Sequence, residues 1–352
     1  MNAEEQESIL PLVVCELANS HGGKLDAIEA LVDAFGRIEY PRKAIKFQVF
    51  SADTIALPDF SWYDVYKELE MSADDWKLLI SKAAKQGDVW IDVFDRYSTQ
   101  IIGENHKNIA GLKLQASVLE NDEILRELQA LDLAEIGVVL NVSGFELSEI
   151  HRILARFRSL SASIVLQIGF QAYPTALEDT ALQKLDVLRA AFPGMPLGIA
   201  DHANGSSDFA ELAPLYAHLL GCNHIEKHFC IERATAAYDG YSALEPAQMQ
   251  LLCARLRAVA AASNGPFVNK AERSYLAKSV QIPVLRDGLA AGTRIAPADL
   301  LFRRTAQQGI SWNQIDNLQQ ARKLLAVHKP VNSAVLESDF RRARVAVIVA
   351  AG

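Results

Sequence analysis

Residues 196–229 read PLGIADHANGSSDFAELAPLYAHLLGCNHIEKHF. Two short apolar runs, 196–200 and 224–229, flank a segment of helical texture. Ser206 or Ser207 is the expected N-cap of that helix, ahead of Asp208-Phe209-Ala210-Glu211 with its acid in the first turn. Apolar runs without alternation are the mark of strands covered on both faces, so the stretch reads as one β–α–β unit of a parallel sheet. Each run gives way to polar residues: Asp201-His202 after the first, Glu226-Lys227-His228 within the second. Parallel strands carry both ends to the same rim, which places His202 near His228 and next to Asp201 and Glu226. Two imidazoles at matched positions on a rigid rim outline a divalent-metal site suited to Mn²⁺, Fe²⁺ or Zn²⁺. Two unrelated core histidines are the plainer alternative.

The same texture recurs upstream. Runs at 12–17, 44–50, 89–94, 111–116, 136–142 and 164–170 bring the expected strands to eight. Helical segments lie between them, with Ser72 before Ala73-Asp74-Asp75 and Asn121 before Asp122-Glu123 as N-caps. Eight β–α units in this length predict an α/β fold, a (β/α)₈ TIM barrel. A doubly wound sheet competes, but no Gly-rich dinucleotide turn follows the first run. After Asn264-Gly265-Pro266 the segments shorten to 277–280, 288–290, 293–295, 300–303, 323–326 and 335–336, among frequent Pro and Gly. This predicts a small, mostly β module over 266–342 after a barrel domain over 1–265. The closing run 343–352 reads either as a last strand of the module or as the start of a further domain.

The chain has 352 residues, half of them hydrophobic, and a net charge of -8. An acidic balance argues against a nucleic-acid partner, because phosphate backbones need a basic face. No apolar run reaches the roughly 20 residues of a membrane span. The acidic N-terminus lacks a signal-peptide pattern. Cys15, Cys222, Cys230 and Cys253 show no zinc-like spacing, so reduced, packed thiols in a cytoplasmic protein are expected.

In a barrel, chemistry collects at the C-terminal strand ends. That position gives Glu16 and His21 on the first unit, Lys46 and Gln48 on the second, Asp92 and Asp95 on the third. Lys113, Asn141 and Tyr173 follow on the fourth, fifth and sixth, then the Asp201, His202, Glu226, Lys227, His228 group. Lys46 and Lys113 lie inside apolar strands, where a charge is costly unless paired or used. Two inward lysines beside a metal suit a small phosphate or carboxylate; simple pairing with Glu16 or Asp92 is the structural alternative.

These pieces resemble the N-acetylneuraminate (sialic acid) synthase family, including its spore-coat polysaccharide branch. The resemblance is carried by residues 16–23 (ELANSHGG), 45–50 (IKFQVF), Phe94-Asp95, Lys113, Ala172-Tyr173-Pro174, Asp201-His202, 225–229 (IEKHF) and Asp239. It extends to the C-terminal module, similar to the family's antifreeze-like (SAF) domain through Glu272-Arg273-Ser274 and Phe302-Arg303-Arg304. The resemblance implies condensation of phosphoenolpyruvate with an N-acylmannosamine-type sugar to a nine-carbon 2-keto acid. It implies a divalent metal, usually Mn²⁺ with Mg²⁺ or Co²⁺ as alternatives, held by His202 and His228. Lys46 and Lys113 would then neutralise phosphoenolpyruvate, with Lys113, Glu16 and Glu226 as catalytic candidates. Gln48, Tyr173 and Asp239 would join Glu16 at the sugar hydroxyls. Arg304 would reach the sugar from a partner subunit, in a domain-swapped homodimer. The chain departs from the family around the phosphate, where Asp92, Ala116, Asn141 and Ala200 stand in place of small hydroxyl residues and Val118 in place of an acid, with Glu120 close by. A metal-dependent aldolase that does not use phosphoenolpyruvate, or a non-catalytic relative, would also keep this scaffold. The tail resembles the opening strand of nucleotidyltransferases, as in a synthase–cytidylyltransferase fusion.

Overall fold

A computed structural model describes residues 7–161, 163–169, 173 and 175–342. It comprises two compact units, Met1–Asn264 and Gly265–Gly352. In the first, eight parallel strands close into a barrel in sequence order: β1 (Leu12–Glu16), β2 (Lys43–Val49), β3 (Asp88–Val93), β4 (Gly111–Leu114), β5 (Gly137–Asn141), β6 (Ile164–Ile168), β7 (Leu197–Asp201) and β8 (Cys222–His228). Closure is explicit in the register, which sets Glu16 of β1 opposite His228 of β8 and excludes the open, doubly wound alternative.

Side chains alternate across a strand, so one parity of each faces the barrel axis. Low in the barrel the inward set is apolar: Val14, Ala44, Trp90, Val139 and Val165 form one cluster. Trp90 fills this end, its ring 5.0 Å from that of His224. Gly111 makes room for it, since a Cβ there would lie 2.2 Å from the indole. Two residues further along the same strands, the inward set turns polar: Glu16, Lys46, Asp92, Lys113, Asn141, Gln167 and Glu226, all buried. The opposite parity packs into one large core under the surrounding helices, with Phe35, Phe47, Trp76, Phe157 and Phe229 among its bulkiest members.

Two of the expected caps are present. Ser72 Oγ accepts the Asp75 N–H at 3.2 Å, and Asn121 Oδ1 accepts those of Glu123 and Ile124. The third is a correction. The helix Phe209–Leu219 starts after Asp208, and Ser207 Oγ instead donates to the Asn204 carbonyl at 2.8 Å, closing the preceding turn. A side chain committed to the turn behind it cannot cap the helix ahead.

The second unit carries two antiparallel pairs, β9 (Ile282–Leu285) with β10 (Leu300–Arg303) and β11 (Lys323–Leu325) with β12 (Phe340–Arg342). Helices Lys270–Ser279 and Trp312–Gln320 accompany them. The strand expected at 277–280 is therefore corrected to a helix end. Its signal is the capping box of Asn269 and Glu272, which accept and donate reciprocally at the helix start. An internal repeat runs through the unit. Asp299 Oδ2 accepts the Ala296 N–H at 2.7 Å, and Asp339 Oδ2 accepts that of Leu336 at 2.7 Å. Arg286 N–H donates to the Asp299 carbonyl as Ala326 N–H does to Asp339, and Gly292 and Asn332 occupy matching left-handed positions. Its core is Leu285, Ile295, Leu300, Ile315, Leu325, Val335 and Phe340. Residues 343–352, the suggested further domain, lie outside the described residues. The four cysteines are buried free thiols. Among the described residues no helix is long and apolar enough to cross a membrane.

Candidate active site

At the C-terminal end of the barrel, five charged side chains converge from five strands. Lys46 Nζ contacts Glu16 Oε2, lies 2.9 Å from Glu226 Oε1 and 3.1 Å from Asp92 Oδ2. Lys113 Nζ approaches the same Glu226 oxygen at 2.5 Å. None of the five is more than 2% exposed. Burial opposes the charge on Glu226, but Lys113 and Lys46 outweigh it and hold its carboxyl well below the usual range. Burial lowers Lys46 to about 8, because the attraction of Asp92 and Glu226 is partly cancelled by neighbouring Lys113. For Lys113 the same carboxylates overcome burial and raise it.

Glu226 is also fixed from its other side. Ser143 N–H donates to Asn141 Oδ1 at 3.0 Å, leaving the Asn141 amide nitrogen to donate to Gln167 Oε1 at 3.4 Å. Gln167 Nε2 then donates to Glu226 Oε2 at 3.2 Å. A backbone N–H can only donate, so it dictates the orientation of both carboxamides. Gln167 was not anticipated; its signal was available, as the lone polar residue inside the apolar run of β6.

Beyond this cluster the rings of His202 and His228 lie 4.8 Å apart and perpendicular. Tyr173 faces both, at 6.1 Å from each. Burial lowers both imidazoles to about 3, so they are neutral. His202 Nδ1 lies 3.1 Å from the Gly169 carbonyl; a carbonyl only accepts, so Nδ1 carries the proton and Nε2 the lone pair. Residue 169 must be glycine: its φ is 128°, and a Cβ would lie 2.1 Å from the Ala200 carbonyl oxygen. His228 Nδ1 lies 3.1 Å from Ser242 Oγ, a second partner the sequence did not single out. Neutral imidazoles with one nitrogen held by the protein are the form that ligates metals. The pair therefore fits a divalent cation. Among the described residues no group of three or more His, Cys, Asp or Glu surrounds such a position.

Several expected residues sit elsewhere. Asp201 and Lys227 pair with each other, both buried, on the opposite parity of β7 and β8, so Asp201 does not stand beside the histidines. Asp95 caps the helix Arg96–Asn105 and accepts from Ser51 N–H at 2.8 Å, a structural role. Glu120 is exposed at a turn. Gln48 is half-buried on the inner parity of β2, in register with Asp92. Asp239 adopts a left-handed φ of 59° after β8, where Oδ2 accepts the Asn19 N–H at 3.1 Å; burial raises its carboxyl. His21 is buried in the same loop and accepts from Gly23 N–H through Nδ1. Arg304 belongs to the other unit, exposed, with Nε donating to the Ser279 carbonyl.

The NeuB family profile matches residues 38–266. Among curated relatives, an N,N'-diacetyllegionaminic acid synthase of Legionella pneumophila is 25% identical, over 90% of this chain and 91% of its own. The spore coat polysaccharide biosynthesis protein SpsE of Bacillus subtilis is 27% identical, over 68% of this chain and 64% of its own. Among solved structures, spore coat polysaccharide biosynthesis protein E of Chromobacterium violaceum superposes with a TM-score of 0.78 at 18% identity, covering 94% of this chain and 99% of that one. A sialic acid synthetase of Leptospira borgpetersenii superposes at 0.67 and 21% identity, covering 77% and 92%. With a profile match across most of the barrel and the barrel itself in place, the chain belongs to the NeuB family.

Proposed function

We propose that this chain is a nonulosonate synthase, joining phosphoenolpyruvate to an open-chain N-acylmannosamine-type sugar to give a nine-carbon 2-keto acid for a surface polysaccharide. The observation that carries the reading is the adjacency of two layers: a neutral imidazole pair above a buried lysine–carboxylate cluster. The relatives named as legionaminic and sialic acid synthases support it.

In this reading Lys46 and Lys113 attract the anionic donor. Glu226, clamped by both lysines and Gln167, stays ionised and keeps the ammonium groups in place. Glu16, Gln48, Tyr173 and Asp239 orient sugar hydroxyls, and Arg304 reaches them from a second copy in a swapped homodimer. His202 and His228 would hold a divalent metal, Mn²⁺ by preference, which when bound supplies Lewis-acid polarisation of the sugar carbonyl. As C3 of phosphoenolpyruvate bonds the aldehyde carbon, one water adds at C2, and loss of phosphate from C2 leaves the 2-keto acid.

The test is phosphate release with purified protein. Release is expected only when phosphoenolpyruvate, Mn²⁺ and an N-acylmannosamine are all present. Silence across a broad panel of N-acyl hexosamines would overturn the reading. Turnover of pyruvate without phosphoenolpyruvate would replace it with an aldolase.

A further inference from the structure

Asp92 leaves one polar atom unaccounted for. Its Oδ2 pairs with the Lys46 ammonium at 3.1 Å and accepts from Gln115 Nε2 at 3.4 Å. Its Oδ1 is buried and has no hydrogen-bond partner among the described residues. A buried carboxylate oxygen without a donor is costly, so this atom calls for a hydrogen supplied by whatever occupies the site.

The surroundings restrict what that donor can be. Lys46 faces Asp92 from β2, and Lys113 lies next to it in register on β4. Glu16 from β1 and Glu226 from β8 share Lys46 with it. Three carboxylates thus stand against two ammonium groups. A fully ionised oxyanion would be drawn by the lysines yet repelled by Asp92. One that keeps a proton satisfies both, with its ionised oxygens toward the lysines and its O–H toward Oδ1. Phosphate monoesters can do this, because their second ionisation falls near pH ~6. Sulfate carries no such proton near neutrality.

We propose that Asp92 is a specificity-determining residue that accepts a hydrogen bond from the protonated phosphate of the donor, so the pocket selects monoprotonated phosphate over fully ionised oxyanions. This rests on the synthase reading, in which the cluster is the donor pocket. It deepens that reading by fixing the protonation form taken.

Calorimetric titration of phosphoenolpyruvate, inorganic phosphate and sulfate into the full-length protein tests it at pH 5.5 and pH 8. The wild type is expected to bind phosphate at least about 10-fold more tightly than sulfate, and phosphoenolpyruvate is expected to gain more from the lower pH than sulfate does, since sulfate follows only the charging of Lys46. In Asp92→Asn the carboxamide oxygen would face Lys46 and Gln115 and its NH2 would take the place of Oδ1 and donate, so the sulfate discrimination should vanish and phosphoenolpyruvate should gain no more than sulfate from the lower pH. Asp92→Thr, also short and polar, should lose the discrimination as well. Equal wild-type affinity for phosphate and sulfate, or an unchanged preference in both variants, overturns the proposal while leaving the donor pocket standing. No binding of any of the three anions to wild type or variants removes the donor pocket and the proposal together.

Discussion

At the scale of the residue, the site depends on groups that can do only one thing. The Ser143 N–H can only donate, and through Asn141 and Gln167 it fixes which face of Glu226 receives a hydrogen. Gln167→Met keeps the length of the side chain but removes this donor. A hydrogen bond to a charged group contributes about 1.5–3 kcal/mol, so kcat in the synthase assay should fall about 10- to 100-fold. The KM for the sugar should stay close to wild type, since Gln167 lies in the lysine layer rather than at the histidines. Gln167→Glu should be worse, because it sets a second carboxylate against Glu226. An unchanged kcat in Gln167→Met would remove Gln167 from the site. The sequence shows Lys46 and Lys113 because a charge inside an apolar strand is conspicuous. It conceals the sharing of one Glu226 oxygen by both, which follows from barrel closure. Asp201 misleads for a related reason: it neighbours His202 in the chain, but strand parity turns it to the other face.

At the scale of the element, one strand can hold two environments on the same face. β8 presents His224 beside Trp90, then Glu226 among the lysines, then His228 at the rim. Burial lowers His224 to about 3, whereas the unfolded chain has the ordinary 6.5. Between these values the unfolded state holds a proton that the native state lacks. Stability therefore falls as pH drops from about 6.5 toward 3, by about 1.4 kcal/mol per pH unit for each such group, and is unaffected above that window. His202 and His228, also near 3, and His21, near 4, act in the same direction. His224→Phe keeps a ring against Trp90 and deletes one titrating group. Urea midpoints at pH 7 and pH 5 should lie closer together in the variant than in the wild type; an identical gap would disprove the assignment. Elements of this kind were largely legible, because mainly apolar runs mark the strands from β1 to β7, while β8 shows itself by its polar residues at the matching place after the preceding helix. The second unit was less so. Its strands are only three or four residues long, too short for periodicity to register, and β9 contains Pro283, which reads as punctuation.

At the scale of the whole molecule, charge is divided unevenly. Residues 1–264 hold 37 Asp and Glu against 22 Lys and Arg, while residues 265–352 hold 6 against 13. The modest total of -8 hides two units of opposite sign. If Arg304 of one copy serves the barrel of another, as proposed, this opposition draws the basic unit toward a foreign acidic barrel. Such attraction is long-ranged and screened by salt, the Debye length shrinking from about 10 Å at 0.1 M to about 3 Å at 1 M. Sedimentation velocity at micromolar protein should thus show a dimer in dilute salt, with a dissociation constant at least about 10-fold weaker in 1 M salt. Truncation after Asn264 removes the basic unit, and the remaining barrel should be monomeric while still binding Mn²⁺ through His202 and His228. Its sugar affinity should fall by about the same factor as in full-length Arg304→Ala, since both lose one guanidinium from the site. A full-length chain that is monomeric in dilute salt would sink the swapped dimer. A truncated barrel with full sugar affinity would place Arg304 outside the site.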